Sequence, residues 1–351
     1  MGFELLAQAV NRNLEYLNRL DPEYLFNYGT DEITCKQVKE SYELFLQIIS
    51  KNPDPEELSK KIRKFFNIYR AAGRIGNNKT LFTGYFEPTF EGSLSPDGEY
   101  RYPLYKKPDD LIRIDLSSFD SKYKGQSIIA RIDGNEVVPY YTRKQIEKDK
   151  VLRGRGLEIA WLKDPVDVAF LQIQGSGRIR LRNEEMMSVG YHASNGMRYK
   201  SIGRYMINRG FLKSEDVSMQ GIREYLSIHP EIIDEVLNYN PSYVFFRRRE
   251  KGPHGNINVI LTPGRSIALN LALFPKGSLC FISCVKPVVD SKGKIEKWTD
   301  FSRFVLNQDT GGAITGAGRA DIYWGNDDYA ELAAGNLKHE GELYVLAPKI
   351  Y

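Results

Sequence analysis

The sequence predicts a mainly β protein with helical additions (α+β), in which one β-barrel domain is interrupted by a smaller β-rich domain. Three observations carry this reading. Runs of β-branched and aromatic residues, broken by turns, fill residues 80–190 and return from 257 to the C-terminal end. Helical periodicity occupies 3–73 and 201–240. The densest glycine stretch, Gln308 to Gly325, lies between Phe304-Val305-Leu306 and Ile322-Tyr323-Trp324. It reads as strand, tight loop, strand, with Asp309 and Asp321 at the edges of the loop. The 351 residues are enough for two domains with ample core.

Taken in order, Phe3, Leu6, Val10, Leu14, Leu17 and Leu20 recur at helical spacing and give a first helix. A second runs from about Asp31 to Lys51, with Tyr42, Phe45, Leu46 and Ile49 inward. A third starts clearly: Asp54 can cap, Pro55 takes the first helical position and Glu57 completes a capping-box pattern. It carries Phe65, Phe66, Ile68 and Tyr69 and stops at Gly73. Thr80–Phe90 turns to strand, and Gly84 between Thr83 and Tyr85 signals close backbone approach.

Ser127–Ile132 and Glu136–Tyr141 flank Asp133-Gly134-Asn135, a hairpin signal, and a short helix follows near Arg143–Lys150. Leu157–Leu162 and Val166–Gln174 read as strands. Alternation on the latter puts Gln172 and Gln174 on one face, beside Gly175-Ser176-Gly177. The helical middle ends at Asn240-Pro241-Ser242. Tyr243–Phe246, Ile257–Leu261, Ser266–Ala272 and Ser278–Val285 read as strands. A short helix at Ala330–Asn336 and a strand at Glu342–Ala347 close the chain.

Bulk properties exclude several classes. A hydrophobic fraction of 42% and a charged fraction of 27% are ordinary for a globular domain. Net charge +4 is far from a nucleic-acid footprint. Arg247-Arg248-Arg249, the longest basic run, reads as a solvated face. Cys35, Cys280 and Cys284 form no even disulfide framework, and the four histidines show no zinc spacing. No stretch has the length of a membrane span. The N-terminus Met1-Gly2-Phe3-Glu4 shows no basic n-region, apolar h-region or lipobox cysteine. A cytosolic chain and a mature chain with its leader removed both fit.

Two readings of the glycine-rich stretch stay open on composition: a hairpin whose aspartates satisfy turn amides, and a site bearing two carboxylates. Asp309-Thr310-Gly311 also occurs in aspartic proteases, which need two such carboxylates. The sequence holds one copy, and Asp321 has no such context. No P-loop or Rossmann fingerprint is present. Glycosidic cleavage fits better, because it needs a carboxylic acid to protonate the leaving oxygen. Gln172 and Gln174 suit sugar hydroxyls or acetamido groups, or else form a solvated strand edge.

With these residues stated, the chain resembles the membrane-bound lytic murein transglycosylase A family from about residue 80 to the end. The ordered motifs are Thr83-Gly84-Tyr85-Phe86-Glu87-Pro88, Gln174-Gly175-Ser176-Gly177 and Ser201-Ile202-Gly203 through Arg209-Gly210. They continue with Ser218-Met219-Gln220, Asn240 to Phe246, Asp309 to Ile314 and Asp321-Ile322-Tyr323. The last two resemble the C-terminal domain named for three aspartates. The sequence departs at Asn270, where the family usually has its first aspartate, and the loop from Asp309 to Asp321 is slightly longer than in some relatives.

The resemblance implies a double-psi β-barrel built from 1–88 and 213–351, with 89–212 as an inserted β-barrel domain and a cleft between the two. It implies a peptidoglycan glycan strand in that cleft, touched by Thr83, Tyr85, Gly311 and Gly312 and by Gln174, Gly175 and Ser176. The implied chemistry is non-hydrolytic cleavage of the MurNAc–GlcNAc bond to 1,6-anhydromuramic ends. Asp321 is then the single acid/base, with Asp309 beside it to raise its pKa or fix the loop. No metal or organic cofactor is expected. Implied partners are glycan strands and other cell-wall enzymes, with no nucleic acid and no membrane contact except through an anchor this chain lacks. The implied location is the periplasm, at the outer membrane. Asn270 keeps a second reading open, a peptidoglycan-binding module without activity.

Overall fold

The computed structural model describes residues 3–214, 216–250 and 252–349; the leader reading made on Met1 and Gly2 lies outside them. The chain divides into two compact units, one of residues up to 86 together with 254 onward, the other of 87–253. The helical segment after 212, grouped above with the C-terminal barrel, thus belongs to the second unit. Its apolar residues Ile222, Leu226 and Val236 share a core with Phe170, Ile179 and Met206 of that unit.

The first unit begins with α1 (Glu4–Leu17), β1 (Leu25–Tyr28), β2 (Asp31–Thr34), α2 (Cys35–Ile49), α3 (Pro55–Phe65), β3 (Phe66–Arg70) and β4 (Thr80–Tyr85). Two sequence expectations need correction. The second helix starts at Cys35, because Thr34 forms a full capping box with Gln37 while 31–34 pair with β1. The third is capped by Asp54 as its sequence implies but ends at Phe65. Phe66–Arg70 is a strand because its backbone pairs with the C-terminal strand, Tyr69 opposite Val345.

The second unit carries β5 (Thr89–Ser93), β6 (Tyr102–Tyr105), β7 (Ile112–Asp115), β8 (Ser127–Asp133), β9 (Glu136–Pro139), α4 (Arg143–Glu147) and β10 (Glu158–Leu162). It continues with α5 (Pro165–Gln174), β11 (Ser176–Leu181), β12 (Met186–Ser194), α6 (Ile202–Asn208), α7 (Met219–Ile228), α8 (Ile233–Asn238) and β13 (Val244–Arg249). Its main sheet runs β13-β12-β11-β5-β10-β6, and a bridge from Lys106 to Phe246 ties the two ends into a small barrel.

The expected strand Val166–Gln174 is the helix α5. Asp164 accepts from the Val166 amide (2.8 Å), Pro165 opens the first turn and Gly175 closes it at φ 78°. Val166, Val168, Ala169, Phe170 and Leu171 are all buried, so no polar face marks a helical period. A helix buried over most of its surface, whose exposed position is the apolar Ile173, reads like a buried strand in sequence.

The first unit resumes with β14 (Ser266–Ala268), β15 (Leu279–Val289), β16 (Ile295–Asp309), β17 (Arg319–Tyr323), α9 (Asp328–Asn336) and β18 (His339–Pro348). Strands pair in the order β15-β16-β14-β17-β4-β18, and β18 returns to β15, closing a six-stranded barrel with β3 outside on β18. β14–β16 and β17–β4 are parallel, the rest antiparallel. This is the double-psi β-barrel class expected. Ile257–Leu261 forms no strand: Arg12 of α1 and Arg19 just beyond it take its carbonyls, Arg19 bonding Ile257 (2.5 Å) and Arg12 bonding Leu261 (3.1 Å). No helix among the described residues is long and apolar enough to cross a membrane.

Candidate active site

The register brings the two aspartates together. Ala268 on β14 pairs with Asp309 on one side and Asp321 on the other, and Asp321 pairs with Thr83. Asp309, Ala268, Asp321 and Thr83 therefore form one row across four strands, with side chains of registered residues on one face. A shift of register between Ile267 and Ala268 admits an extra residue on β16 and aims Asp309 into the row. Along β17, Ala320 and Ile322 point into the barrel core, while Arg319 and Asp321 take the other face.

Asp309 is held by several donors. It accepts from the Tyr85 hydroxyl (2.8 Å) and from the Asn256 amide (3.0 Å). Burial still dominates and lifts its pKa to about 6, against the pull of the Thr310, Tyr85 and Asn256 donors. Tyr85 lies against the Tyr323 ring at 5.4 Å, and burial followed by the Asp309 charge keeps its hydroxyl protonated far above neutral pH.

Asp321 is held by almost nothing. Its Oδ1 is buried and has no hydrogen-bond partner; Arg319 lies 3.8 Å away, outside hydrogen-bond range. The side chain keeps 19% of its exposure. Burial raises its pKa to about 6, Arg319 pulls it down and Asp309 pushes it up. An unpartnered buried carboxylate oxygen costs about 1–3 kcal/mol, which protonation or a ligand hydroxyl offsets. This is the environment of a carboxyl that exchanges a proton near pH 6.

The loop between the aspartates is pinned at its base. Thr310 Oγ1 donates to the Leu269 carbonyl (2.9 Å), and the Ile314 amide donates to Gly311 (2.9 Å). Gly311 and Gly312 are exposed, and Ile314 is buried beneath them. Thr83 Oγ1 accepts from Arg319 (3.2 Å). A Cβ on Gly84 would lie 2.6 Å from the Trp324 ring and 2.9 Å from the Ala334 backbone, the close approach its sequence context signalled. Trp324 itself is core, packed on Phe301 at 5.4 Å.

Thr83, Tyr85, Asp309, Gly311, Gly312 and Asp321 thus lie together on the first unit. Gln174, Gly175 and Ser176 lie in the second, where Gln172 and Gln174 belong to a helix and share no strand face. Gln172 is buried inside and bonded to Arg143, while Gln174 ends α5 with its amide on Met219 sulfur (2.9 Å). Gly175 is the helix cap, and Ser176 opens β11 opposite Gly190. Sequence reasoning passed over Arg319, although it stands two residues before Asp321 on one strand, hence on the same face. It also passed over Asn256, which acts through its backbone and leaves no sequence signal. Among the described residues no cluster of His, Cys, Asp and Glu has the arrangement of a metal site.

Comparison with known proteins bears on this arrangement. Residues 81–247 match the MltA specific insert domain, and residues 265–347 match the 3D domain. The chain belongs to the membrane-bound lytic murein transglycosylase A family. The relative of that name from Vibrio cholerae is 28% identical over 312 residues, spanning 87% of this chain and 74% of its own. The one from Escherichia coli K12 is 29% identical over 292 residues, spanning 82% and 71%. The crystal structure of a membrane-bound lytic murein transglycosylase from Agrobacterium tumefaciens superposes with TM-score 0.79 at 29% identity, covering 99% of this chain and 93% of that one.

Against that family pattern, Asn270 has a structural explanation. Its Oδ1 accepts from the Ala272 amide (3.0 Å), and its carbonyl accepts from Leu273 and Phe274. It builds the turn after β14, a task that asparagine and aspartate perform alike. The missing charge at 270 therefore leaves the Asp309–Asp321 row intact.

Proposed function

We propose that this chain is a lytic transglycosylase that cleaves the MurNAc-β-1,4-GlcNAc bond of peptidoglycan with Asp321 as its single acid/base. The observation that carries the reading is Asp321 Oδ1, buried, without a hydrogen bond, 3.8 Å from Arg319 and on a carboxyl poised near pH 6. The names of the relatives supply the substrate class.

Protonated Asp321 donates to the glycosidic oxygen as the bond to the anomeric carbon breaks. The resulting carboxylate then removes the proton from the C6 hydroxyl, whose oxygen attacks that carbon and closes the 1,6-anhydro ring. One carboxyl thus serves both steps and no water enters the product. Asp309, fixed by Tyr85 and Asn256, keeps the neighbouring pKa high and anchors the loop. In this reading Thr83, Tyr85, Gly311 and Gly312 of the first unit contact sugar, and Gln174, Gly175 and Ser176 are the sugar contacts of the second. The substrate places the work in the periplasm.

The test is a digest of purified murein with the parent chain and its Asp321→Asn variant, read by mass spectrometry. Muropeptides one water lighter than hydrolysis products, from the parent alone, support the proposal. Reducing ends from the parent would show that water attacks, and full turnover by the variant would remove Asp321 from its role.

A further inference from the structure

The basic run Arg247-Arg248-Arg249 is more than a solvated face. It lies on β13, so alternate residues face opposite ways. Arg248 turns to one side and donates to the Ile159 carbonyl (3.2 Å). Arg247 and Arg249 turn to the other, and the register shows what they join. Arg247 pairs with Gly190, which pairs with Ser176. Arg249 pairs with Ser188, which pairs with Arg178, which pairs with Thr89.

These two adjacent rows share one face of the second unit's sheet. Gly190 leaves the floor between Arg247 and Ser176 without a side chain, and a Cβ there would sit 3.3 Å from the Arg249 side chain, which leans over it. Arg178 is oriented by a 3.0 Å ion pair to Glu87, whose own side chain is fully buried. His192 and Lys107, both exposed, complete the surroundings. Burial, then Arg247, Lys107 and Arg249, depress the His192 pKa, which places these cations within electrostatic reach of one another. Around the trough stand three arginines, a lysine and a histidine, with Glu87 as the carboxylate engaged.

We propose that this trough, floored by Gly190 and Ser176 and flanked by Arg247, Arg249, Arg178 and Lys107, binds carboxylates of the peptide stems carried by the glycan strand. The inference rests on the proposed function, since peptidoglycan is what brings an anionic stem to Ser176. Arginine forks match carboxylates bidentately, and with Gly190 and Ser176 buried under the Arg249 side chain a stem meets the guanidinium groups that lie above the strand. The chain then prefers glycan with free stem carboxylates over uncharged glycan. Arg247 and Lys107, being exposed, set that preference without supporting the core.

The experiment is co-sedimentation of the full chain with insoluble murein, either native or with its carboxylates capped as amides by carbodiimide coupling to ethanolamine. The expected result is about tenfold tighter retention on native murein, falling as salt rises through the range where the Debye length shrinks below about 10 Å. Arg247→Gln combined with Lys107→Gln narrows that ratio to about twofold. A charge-matched control, Lys292→Gln combined with Lys294→Gln, leaves it wide. Equal retention on both mureins, or equal narrowing by the control pair, overturns the proposal, the latter by showing that net charge alone acts. Murein cleavage measured beside it keeps the two ideas apart. A chain that discriminates through Arg247 and never cleaves sustains the trough and sinks the transglycosylase, and the reverse result does the opposite.

Discussion

Asp309 and Asp321 sit in one row of the barrel and titrate near the same pH, yet for different reasons. Asp309 is ringed by donors that each lower its pKa, and burial outweighs them. Asp321 has no donor in contact and is pulled between a cation and an anion, Arg319 and Asp309. A carboxylate whose oxygens are occupied is a fixed charge, and one with a free, buried oxygen is open to a substrate. Under the proposed function the difference gives positioning to Asp309 and proton transfer to Asp321, although position in sequence makes them look equivalent.

The largest test of that contrast is removal of each acid. Asp321→Asn lowers anhydromuropeptide release by about 10³-fold, the scale of a lost general acid. Asp309→Asn, which keeps an acceptor oxygen for one of its two donors, Tyr85 or Asn256, lowers it by only about 10-fold. Quantified muropeptide chromatography separates the two, and equal losses would collapse the distinction between them.

Next in size is packing under the row. Gly84→Ala drives a methyl into Trp324 and the α9 backbone and costs about 2 kcal/mol, the scale of overpacking. Calorimetry reads this as a lower unfolding temperature of the barrel. An unchanged midpoint would mean that α9 moves aside freely.

Smaller and more specific are the pH limbs. Activity that needs protonated Asp321 falls tenfold per pH unit above about 6. Arg319→Gln removes the cation that lowers this pKa, so the limb moves to higher pH. Asp309→Asn removes the anion that raises it, so the limb moves to lower pH. Each displacement is about half a unit to one unit, and initial-rate profiles from pH 4 to 8 show whether the two go opposite ways.

The smallest effect is on stability. An Asp321 pKa of about 6 in the folded chain exceeds the roughly 3.9 of an unfolded aspartate. The folded state therefore holds more protons between those values, and stability falls as pH rises from about 4 to 6. Asp321→Asn removes this penalty, which leaves the variant about 1 kcal/mol more stable than the parent at pH 8 and no more stable at pH 4. Thermal melts at the two pH values measure it, and a variant equally stabilised at both would point to another cause.

What the sequence made legible follows the same division between strand and buried helix. The Asp309–Asp321 stretch was readable because glycines, β-formers and acids occur together and the barrel keeps them in register. Leu171 to Gln174 was not, because α5 is mostly buried and its exposed position is the apolar Ile173, which hides its period, and only Asp164-Pro165 and Gly175 mark its ends. Helix α3 reads on past Phe65 for another reason: Phe66, Ile68 and Tyr69 continue its apolar residues, and pairing with a strand made at the far end of the chain decides the conformation. Asn270 looked like a lost charge, and only the turn it caps shows that its amide oxygen already does local work.

The barrel's strands β3 and β4 also set the order in which the chain can fold. They are made early, and their partners β17 and β18 lie at the other end of the sequence. During synthesis the contiguous second unit can complete its own contacts while β3 and β4 still wait as unpaired edges. Closure of the ring is then a late, long-range event, and so a slow one. The row that holds Asp321 opposite Thr83 does not exist until that event occurs. A chain cut short before β18 leaves β3 without a neighbour and β4 and β15 with one open edge each, free to pair with another molecule instead of with itself.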